Sequence, residues 1–296
     1  MKLDKEISKL DLHMHSTVSD GTDAPGEILV KVKALGLQMF SVTDHDAIQA
    51  GKDIPPLLTP EDPAFVTGVE FNCKDKGGKY HILGYGFDPD NVEILKVVMQ
   101  GHANRLYKMR GRLEFLKDRF GFTLSREETM ELMTLDNPGK PHLAKLMVAH
   151  GFAKDIKEAI SKYINQQHFE DRVTAPETAI SGILAAGGIP ILAHPSYGSG
   201  DELIVGEEME ARLRRMMDFG VQGVEAFYSG FTPRLENEIL GYAEKYGLYV
   251  TAGSDYHGTN KMVVLGDNNL PEDPADWPEG LRRFLKDVKY SVPGQA

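Results

Sequence analysis

Short apolar runs of strand length alternate with longer stretches of helical spacing over much of this chain. Residues 38–43 lead into Asp44-His45, 64–67 into Gly68-Val69-Glu70, and 79–80 into His81-Ile82-Leu83-Gly84. Further on, 188–193 deliver His194, 223–227 form another apolar run, and 248–252 lead into Asp255-Tyr256-His257. Between them, 25–36, 179–186, 207–219 and 233–246 carry helical patterns, the first with Pro25 at its start and Gly36 at its end, as helix termini favour. Strands alternating with helices predict parallel pairing with the helices packed outside. From 91 to 172 the strand pattern vanishes, and 92–120, 126–135, 141–150 and 155–164 all read as amphipathic helices. The expected organisation is an α/β domain, 1–90 with 173–296, carrying a helical insertion subdomain, 91–172, as a substrate cap over its mouth.

Composition narrows the chemistry. A chain of 296 residues, 41% hydrophobic and 26% charged, suits one large α/β domain or a domain with an insertion. Cys73 is the single cysteine, so an intrachain disulfide and thiolate zinc sites are excluded. No apolar stretch reaches membrane-spanning length, and Met1-Lys2-Leu3-Asp4-Lys5-Glu6 offers no signal-peptide core. A cytoplasmic protein without a membrane partner is expected. The net charge of -11 argues against long nucleic acid as a partner. A small phosphorylated substrate stays compatible, because bound divalent cations reverse the local sign. The tail after Ser291 is expected to be loosely ordered.

The candidate chemistry begins at Asp11-Leu12-His13-Met14-His15, where two histidines at i and i+2 share one face of a strand. Six of the ten histidines (His13, His15, His45, His81, His194 and His257) fall at or near predicted strand ends, with Asp20, Asp44, Glu70, Glu225 and Asp255 nearby. One strand-end histidine is ordinarily a hydrogen-bonded surface or core group. Six, interleaved with carboxylates, point to metal ions, and imidazole with carboxylate suits zinc, manganese or iron. Ligand-type residues spread over many strand ends favour a barrel over an open sheet with a single switch point. His102, His150 and His168 are read as ordinary histidines. Ala185-Ala186-Gly187-Gly188 reads as a helix end and Lys76-Gly77-Gly78-Lys79 as a turn between strands; neither is a phosphate loop.

Asp11-Leu12-His13-Met14-His15-Ser16, Thr43-Asp44-His45-Asp46, Gly68-Val69-Glu70, Ala193-His194-Pro195 and Gly253-Ser254-Asp255-Tyr256-His257 resemble, in order and spacing, the motif series of the PHP (polymerase and histidinol phosphatase) superfamily. The helical insertion resembles that of its stand-alone branch, the nucleoside 3′,5′-bisphosphate phosphatases and cyclic-phosphate hydrolases. The resemblance implies a distorted (β/α)7 TIM-like barrel with three divalent ions, manganese first, zinc or iron as alternatives. It implies that His13, His15, Glu70 and Asp255 bind the first, that Glu70 bridges to a second held by His81 and His194, and that Asp20, His45 and His257 hold the third. Glu70, His194 and Asp255 would then act catalytically through a metal-bound hydroxide. Asp44 is a candidate to orient a ligand, and Glu225 is as readily structural.

Three ions against the carboxylates of Asp20, Glu70 and Asp255 leave a local charge of roughly +3, attractive to a phosphate dianion. Asp20 and His45 also border the substrate position. Arg105, Lys108 and Arg110 lie on one predicted helix, and Lys140 and His142 open another, where free backbone N–H groups favour an anion. The family more often carries arginine before this Pro-His, and Lys140 lacks its bidentate grip. Tyr197 is a candidate to stack on a base or sugar. The expected function is hydrolysis of phosphate monoesters, foremost the 3′-phosphate of nucleoside 3′,5′-bisphosphates, extending to short oligonucleotides. A cyclic sugar-phosphate phosphodiesterase, a non-catalytic metal-binding module and a metal-dependent amidohydrolase stand as alternatives.

Overall fold

The structure, a computed structural model, describes residues 7–167, 172–198 and 202–291. His168, the first six residues and the tail after Ser291 lie outside the described residues. Contacts divide the chain into two compact units, Met1–Val98 with Thr174–Ala296, and Met99–Val173.

In the first unit the chain runs β1 (Leu10–Asp11), α1 (Pro25–Ala34), β2 (Met39–Phe40), α2 (Ala50–Asp53), β3 (Ala64–Phe65), β4 (Gly68–Asp75) and β5 (Gly78–Tyr85). Helix α3 (Val92–Phe120) leads into the second unit, which holds α4 (Arg126–Thr134), α5 (Lys140–Ala149) and α6 (Ile156–Glu158). The first unit resumes with α7 (Pro176–Ala185), β6 (Ile189–Leu192), α8 (Gly206–Asp218), β7 (Gly223–Tyr228), α9 (Pro233–Tyr246), β8 (Tyr249–Gly253) and α10 (Glu279–Asp287).

Helix limits follow local chemistry. Helix α9 starts at Pro233, buries Leu235, Ile239 and Ala243 at four-residue spacing, and stops at Gly247, whose φ of 63° is the left-handed cap that glycine adopts without strain. In α1, the Glu27 carboxylate accepts from the Ala24 N–H, satisfying a donor at the helix start.

The strands form two sheets rather than one closed barrel. Strands β1, β2 and β3 pair in parallel, whereas β4-β5-β6-β7-β8 form a mixed sheet. The expected all-parallel order breaks at β4 and β5, an antiparallel hairpin in which Glu70 opposes Leu83 and Asn72 opposes His81; β5 also runs antiparallel to β6. The Lys76-Gly77 turn, closed by Gly78 at φ 138°, is too short for any crossover. Strands β1 to β3 are two residues each. Isolated parallel bridges, Met14 with Tyr256 and His45 with Glu70, are what link the two sheets at this end.

The core of the mixed sheet includes Phe71, Ile82, Tyr85, Ile191, Val224, Val250 and Phe284, all essentially inaccessible. Tyr85 also donates its hydroxyl to the Leu12 carbonyl at 2.8 Å, tying the segment that carries His13 to β5. A second cluster, with Met14, Ile28, Phe40 and Phe65, packs α1 against the parallel sheet. The second unit has its own core around Met109, Leu116, Leu143 and Met147. No helix among the described residues is long and apolar enough to cross a membrane.

Candidate metal centre

Glu70 is the hub of the site. It is the third residue of β4, not the end of the preceding strand as its sequence position suggested, and it is 1% exposed. Five imidazoles surround its carboxylate: His81 Nδ1 at 2.8 Å, His45 Nδ1 at 2.9 Å, His194 Nε2 at 3.1 Å, His15 Nε2 at 3.2 Å and His13 Nε2 at 3.4 Å. His81 lies within β5 rather than at its end, carried to the site by the hairpin. Asp255 turns Oδ1 toward His15 Nε2 at 3.3 Å and His13 Nε2 at 3.6 Å. Asp20 stands 3.3 Å from His257 Nε2 and 3.8 Å from His15 Nδ1. All nine ligand-type residues named from the sequence are therefore drawn into one cluster of the first unit.

Two of these positions bend the backbone unusually. His194 has φ 24° and Asp255 φ 59°, conformations that L residues adopt sparingly and that concentrate at functional sites.

Burial disfavours the charged form of these groups, and at Glu70, Asp20, Asp255, His13 and His15 the neighbouring opposite charges outweigh it. Neighbouring His81, His45 and His13 hold the Glu70 carboxyl well below its ordinary range. Asp20 and Asp255 are likewise lowered, Asp20 by His45 and His257, Asp255 by Lys261 and His13. Against its own burial, His13 is raised well above its usual value by Glu225 and Glu70, and His15 is pushed up to about 9 by Asp255 and Glu70. Burial dominates at His81, which falls to about 4, and at His257, which is also lowered.

The donor set fits divalent cations. His13 Nε2, His15 Nε2 and Glu70 Oε2 are buried without a hydrogen-bond partner, His15 Nε2 lying 3.2 Å from Glu70 Oε2 and His13 Nε2 3.4 Å from Glu70 Oε1. Unsatisfied buried polar atoms are costly, and a cation between them satisfies all three. Ligand atoms of His13, His15 and Glu70, of His45, Glu70 and His81, and of His15, Asp20, His45 and His257 each fall within 4.8 Å of one another. These overlapping groups offer imidazole and carboxylate only; Cys73, the sole thiol, is buried and its pKa is raised by that burial.

Supporting contacts fix the ring orientations. His257 Nδ1 lies 2.8 Å from the Asp255 carbonyl, leaving Nε2 toward Asp20. Asp44 is not among the ligand groups; its carboxylate accepts from Ser16 N and Oγ and from Ser19 Oγ, and Ser19 stands 3.4 Å from His15 Nδ1. Asn72 reaches His45 Nδ1 at 3.2 Å and Asp46 at 3.1 Å. Lys261 and Tyr228 both bind Asp255 Oδ2. Neither Lys261, which follows His257 closely, nor Tyr228, at the end of β7, carries a ligand-type signal in the sequence.

The remaining candidates lie apart in kind. The Tyr197 hydroxyl donates to the Gly230 carbonyl at 2.8 Å and its ring packs on Phe231. Arg105, Lys108, Lys140 and His142 all belong to the second unit. There Lys140 donates to Asn165 at 2.6 Å and His142 Nδ1 accepts from Gly139 N, at the start of α5. Burial and the Arg105 charge lower nearby Arg112 to about 10. His102 binds the Asp136 carbonyl and His150 pairs with Glu128.

Residues 11–174 match the PHP domain model, and the chain belongs to the PHP family. It is 28% identical over 264 residues to a 3′,5′-nucleoside bisphosphate phosphatase of Chromobacterium violaceum, covering 85% of this chain and 88% of that one. It is 26% identical over 263 residues to a phosphoribosyl 1,2-cyclic phosphate 1,2-diphosphodiesterase of Eggerthella lenta, covering 84% and 94%. A Bifidobacterium adolescentis protein solved as a candidate metal-dependent phosphoesterase superposes with a TM-score of 0.76 at 25% identity, over 94% of this chain and 96% of that one. The chain is a metal-dependent phosphoesterase, a hydrolase of phosphoric ester bonds.

Proposed function

We propose that the chain hydrolyses phosphate monoesters of small phosphorylated metabolites, with the 3′-phosphate of nucleoside 3′,5′-bisphosphates as its preferred target. The observation that carries this reading is the buried Glu70 carboxylate ringed by five imidazoles, with ligand atoms left unsatisfied. The similarity to the Chromobacterium violaceum phosphatase supports the substrate class.

Three divalent ions, manganese first with zinc or iron as alternatives, are the expected complement. His13, His15, Glu70 and Asp255 would hold one, His81 and His194 with Glu70 a second, and Asp20, His45 and His257 a third. Bound there, divalent ions lower the pKa of water and neutralise charge on phosphoryl oxygens. The chain's own residues supply the frame. Glu70, on β4, gathers His81 of β5, His194 beyond β6, His13 and His15 beyond β1 and His45 beyond β2 onto one point. The Asp44–Ser19 pair braces His15, and burial excludes bulk water from the hub. Lys261 adds a cation beside Asp255. In the second unit, Lys140 and His142 at the start of α5, with Arg105 and Lys108 on α3, are groups suited to an anion.

A second reading, hydrolysis of a cyclic sugar phosphodiester, is favoured by the Eggerthella lenta relative. Phosphate release by the manganese-loaded protein from adenosine 3′,5′-bisphosphate, 5′-AMP and a ribose cyclic phosphate separates the two. Preference for the bisphosphate, with AMP as product, is expected. Preference for the cyclic ester transfers the assignment to the second reading, and silence on all three contradicts both.

A further inference from the structure

Glu225 is fully buried on β7, where pairing with β8 shifts register between Glu225 and Phe227. A bulge at such a place re-aims a side chain. The two carboxylate oxygens serve two different strand ends. Oε1 lies 2.8 Å from His13 Nδ1, and Oε2 accepts from the His194 backbone N–H at 2.9 Å. Residue 253 must be small for this to happen: a Cβ there would stand 2.1 Å from His13 Cβ and 2.8 Å from Glu225 Oε1. The His194 backbone held by this bond is the strained one, at φ 24° and ψ 58°.

We propose that Glu225 is a positioning residue that sets the tautomer of His13 and holds the turn of His194. The inference rests on the metal-dependent reading above. A carboxylate accepts only, so His13 presents Nδ1–H to Glu225, and the nitrogen that gives up its proton to a metal is Nε2, which faces Glu70 and Asp255 at 3.4 and 3.6 Å. A metal ligand needs the lone pair that this leaves, and the bond made by the other ring nitrogen decides which one is available. Glutamine at 225 has one acceptor oxygen and one donor amide. With its oxygen on the His194 N–H, its amide faces His13 Nδ1 and selects the Nε2–H tautomer, which cannot ligate.

The test uses the full chain with 15N-labelled histidine and zinc as the diamagnetic probe, the His13 signals being assigned by their absence from His13→Asn. The zinc-loaded wild type is expected to show Nδ1–H at His13. Glu225→Gln is expected to bind zinc about 10- to 100-fold more weakly, with the His13 tautomer inverted. A variant with wild-type zinc affinity and an unchanged His13 signature overturns the inference. Where Glu225→Gln does not fold, the wild-type spectrum decides, since Nε2–H at His13 in the loaded protein contradicts the assignment outright. A wild type that binds zinc with the expected signature yet releases no phosphate contradicts the hydrolytic reading and leaves the role of Glu225 intact.

Discussion

Lys261 Nζ stands 2.6 Å from Oδ2 of Asp255, an oxygen that also accepts from the Tyr228 hydroxyl at 3.0 Å. The other oxygen, Oδ1, faces His15 and His13 at 3.3 and 3.6 Å. One carboxylate is thus divided between a cationic side chain on its outer oxygen and the imidazole cluster on its inner one. Burial opposes the charge on Lys261, and the Asp255 carboxylate reverses that, raising its pKa.

The ammonium of Lys261 repels any cation bound at the inner oxygen. Its side chain is 42% exposed, so solvent screens the repulsion, and two unit charges ~4 Å apart in water interact by about 1 kcal/mol. Lys261→Met is therefore expected to tighten manganese binding on the order of fivefold, measured by titration calorimetry. Weaker binding in the variant would instead mean that Lys261 is needed to hold Asp255 in place.

Metal loading should release protons. His15, at about 9 in the metal-free protein, carries a proton at neutral pH, whereas His81, at about 4, is already neutral. Because the folded value of His15 lies above its ordinary value near 6.5, the stability it gives the metal-free chain is full below that value. This stability is lost as pH rises through about 9. The proton on His15 competes with the metal below that value, so apparent affinity should climb as pH rises towards about 9. Calorimetry in buffers of different ionisation enthalpy measures the protons released. Affinity independent of pH across this window would contradict the pairing of His15 with Asp255 and Glu70.

Asp11 governs the loop that carries Asp255 and His257. Fully buried, it accepts from Ser254 N and Oγ at 3.0 and 2.6 Å, from Gly266 N at 2.8 Å and from His13 N at 3.2 Å. Asp11→Ala strands these donors, and each buried unsatisfied group costs about 1–3 kcal/mol. With four donors stranded, a destabilisation of at least roughly 4 kcal/mol is expected in urea denaturation. A loss below about 1 kcal/mol would show that water or a shifted loop replaces the carboxylate.

Helices announced themselves where apolar spacing and terminal residues agreed. Pro233–Tyr246 and Val92–Phe120 occupy the limits their patterns predict. The stretch 155–164 instead divides into α6, a five-residue π segment, Ala159–Tyr163, and a short 3-10 turn, since apolar periodicity does not register a change in hydrogen-bond offset. Helix α10 buries only Leu281 and Phe284, and its nine residues are too few to establish a helical repeat although its apolar and polar positions are sharply segregated. Strand direction was the larger omission. The run 64–70 reads as one strand, yet the ladder breaks after Phe65 and restarts at Gly68 in the opposite sense relative to β5.

At the site, residue types showed which side chains could ligate, but not what supports them. His13 and Glu225 are 212 residues apart, and nothing local to either marks the bond between them. Lys261 and Tyr228 were equally silent, because an ion pair with Asp255 requires the folded loop.

The central claim is that the cluster around Glu70 holds the metal on which phosphoester hydrolysis depends. The most direct measurement compares wild type with Glu70→Gln for bound manganese and for phosphate release from adenosine 3′,5′-bisphosphate, in samples shown to be folded by circular dichroism. Glutamine keeps the volume of the side chain and removes the charge that faces five imidazoles. Lower manganese content is expected, with a fall in hydrolysis of at least about a thousandfold, equivalent to several kcal/mol of metal-assisted stabilisation. A folded, manganese-replete Glu70→Gln protein that hydrolyses the bisphosphate at close to the wild-type rate would contradict it.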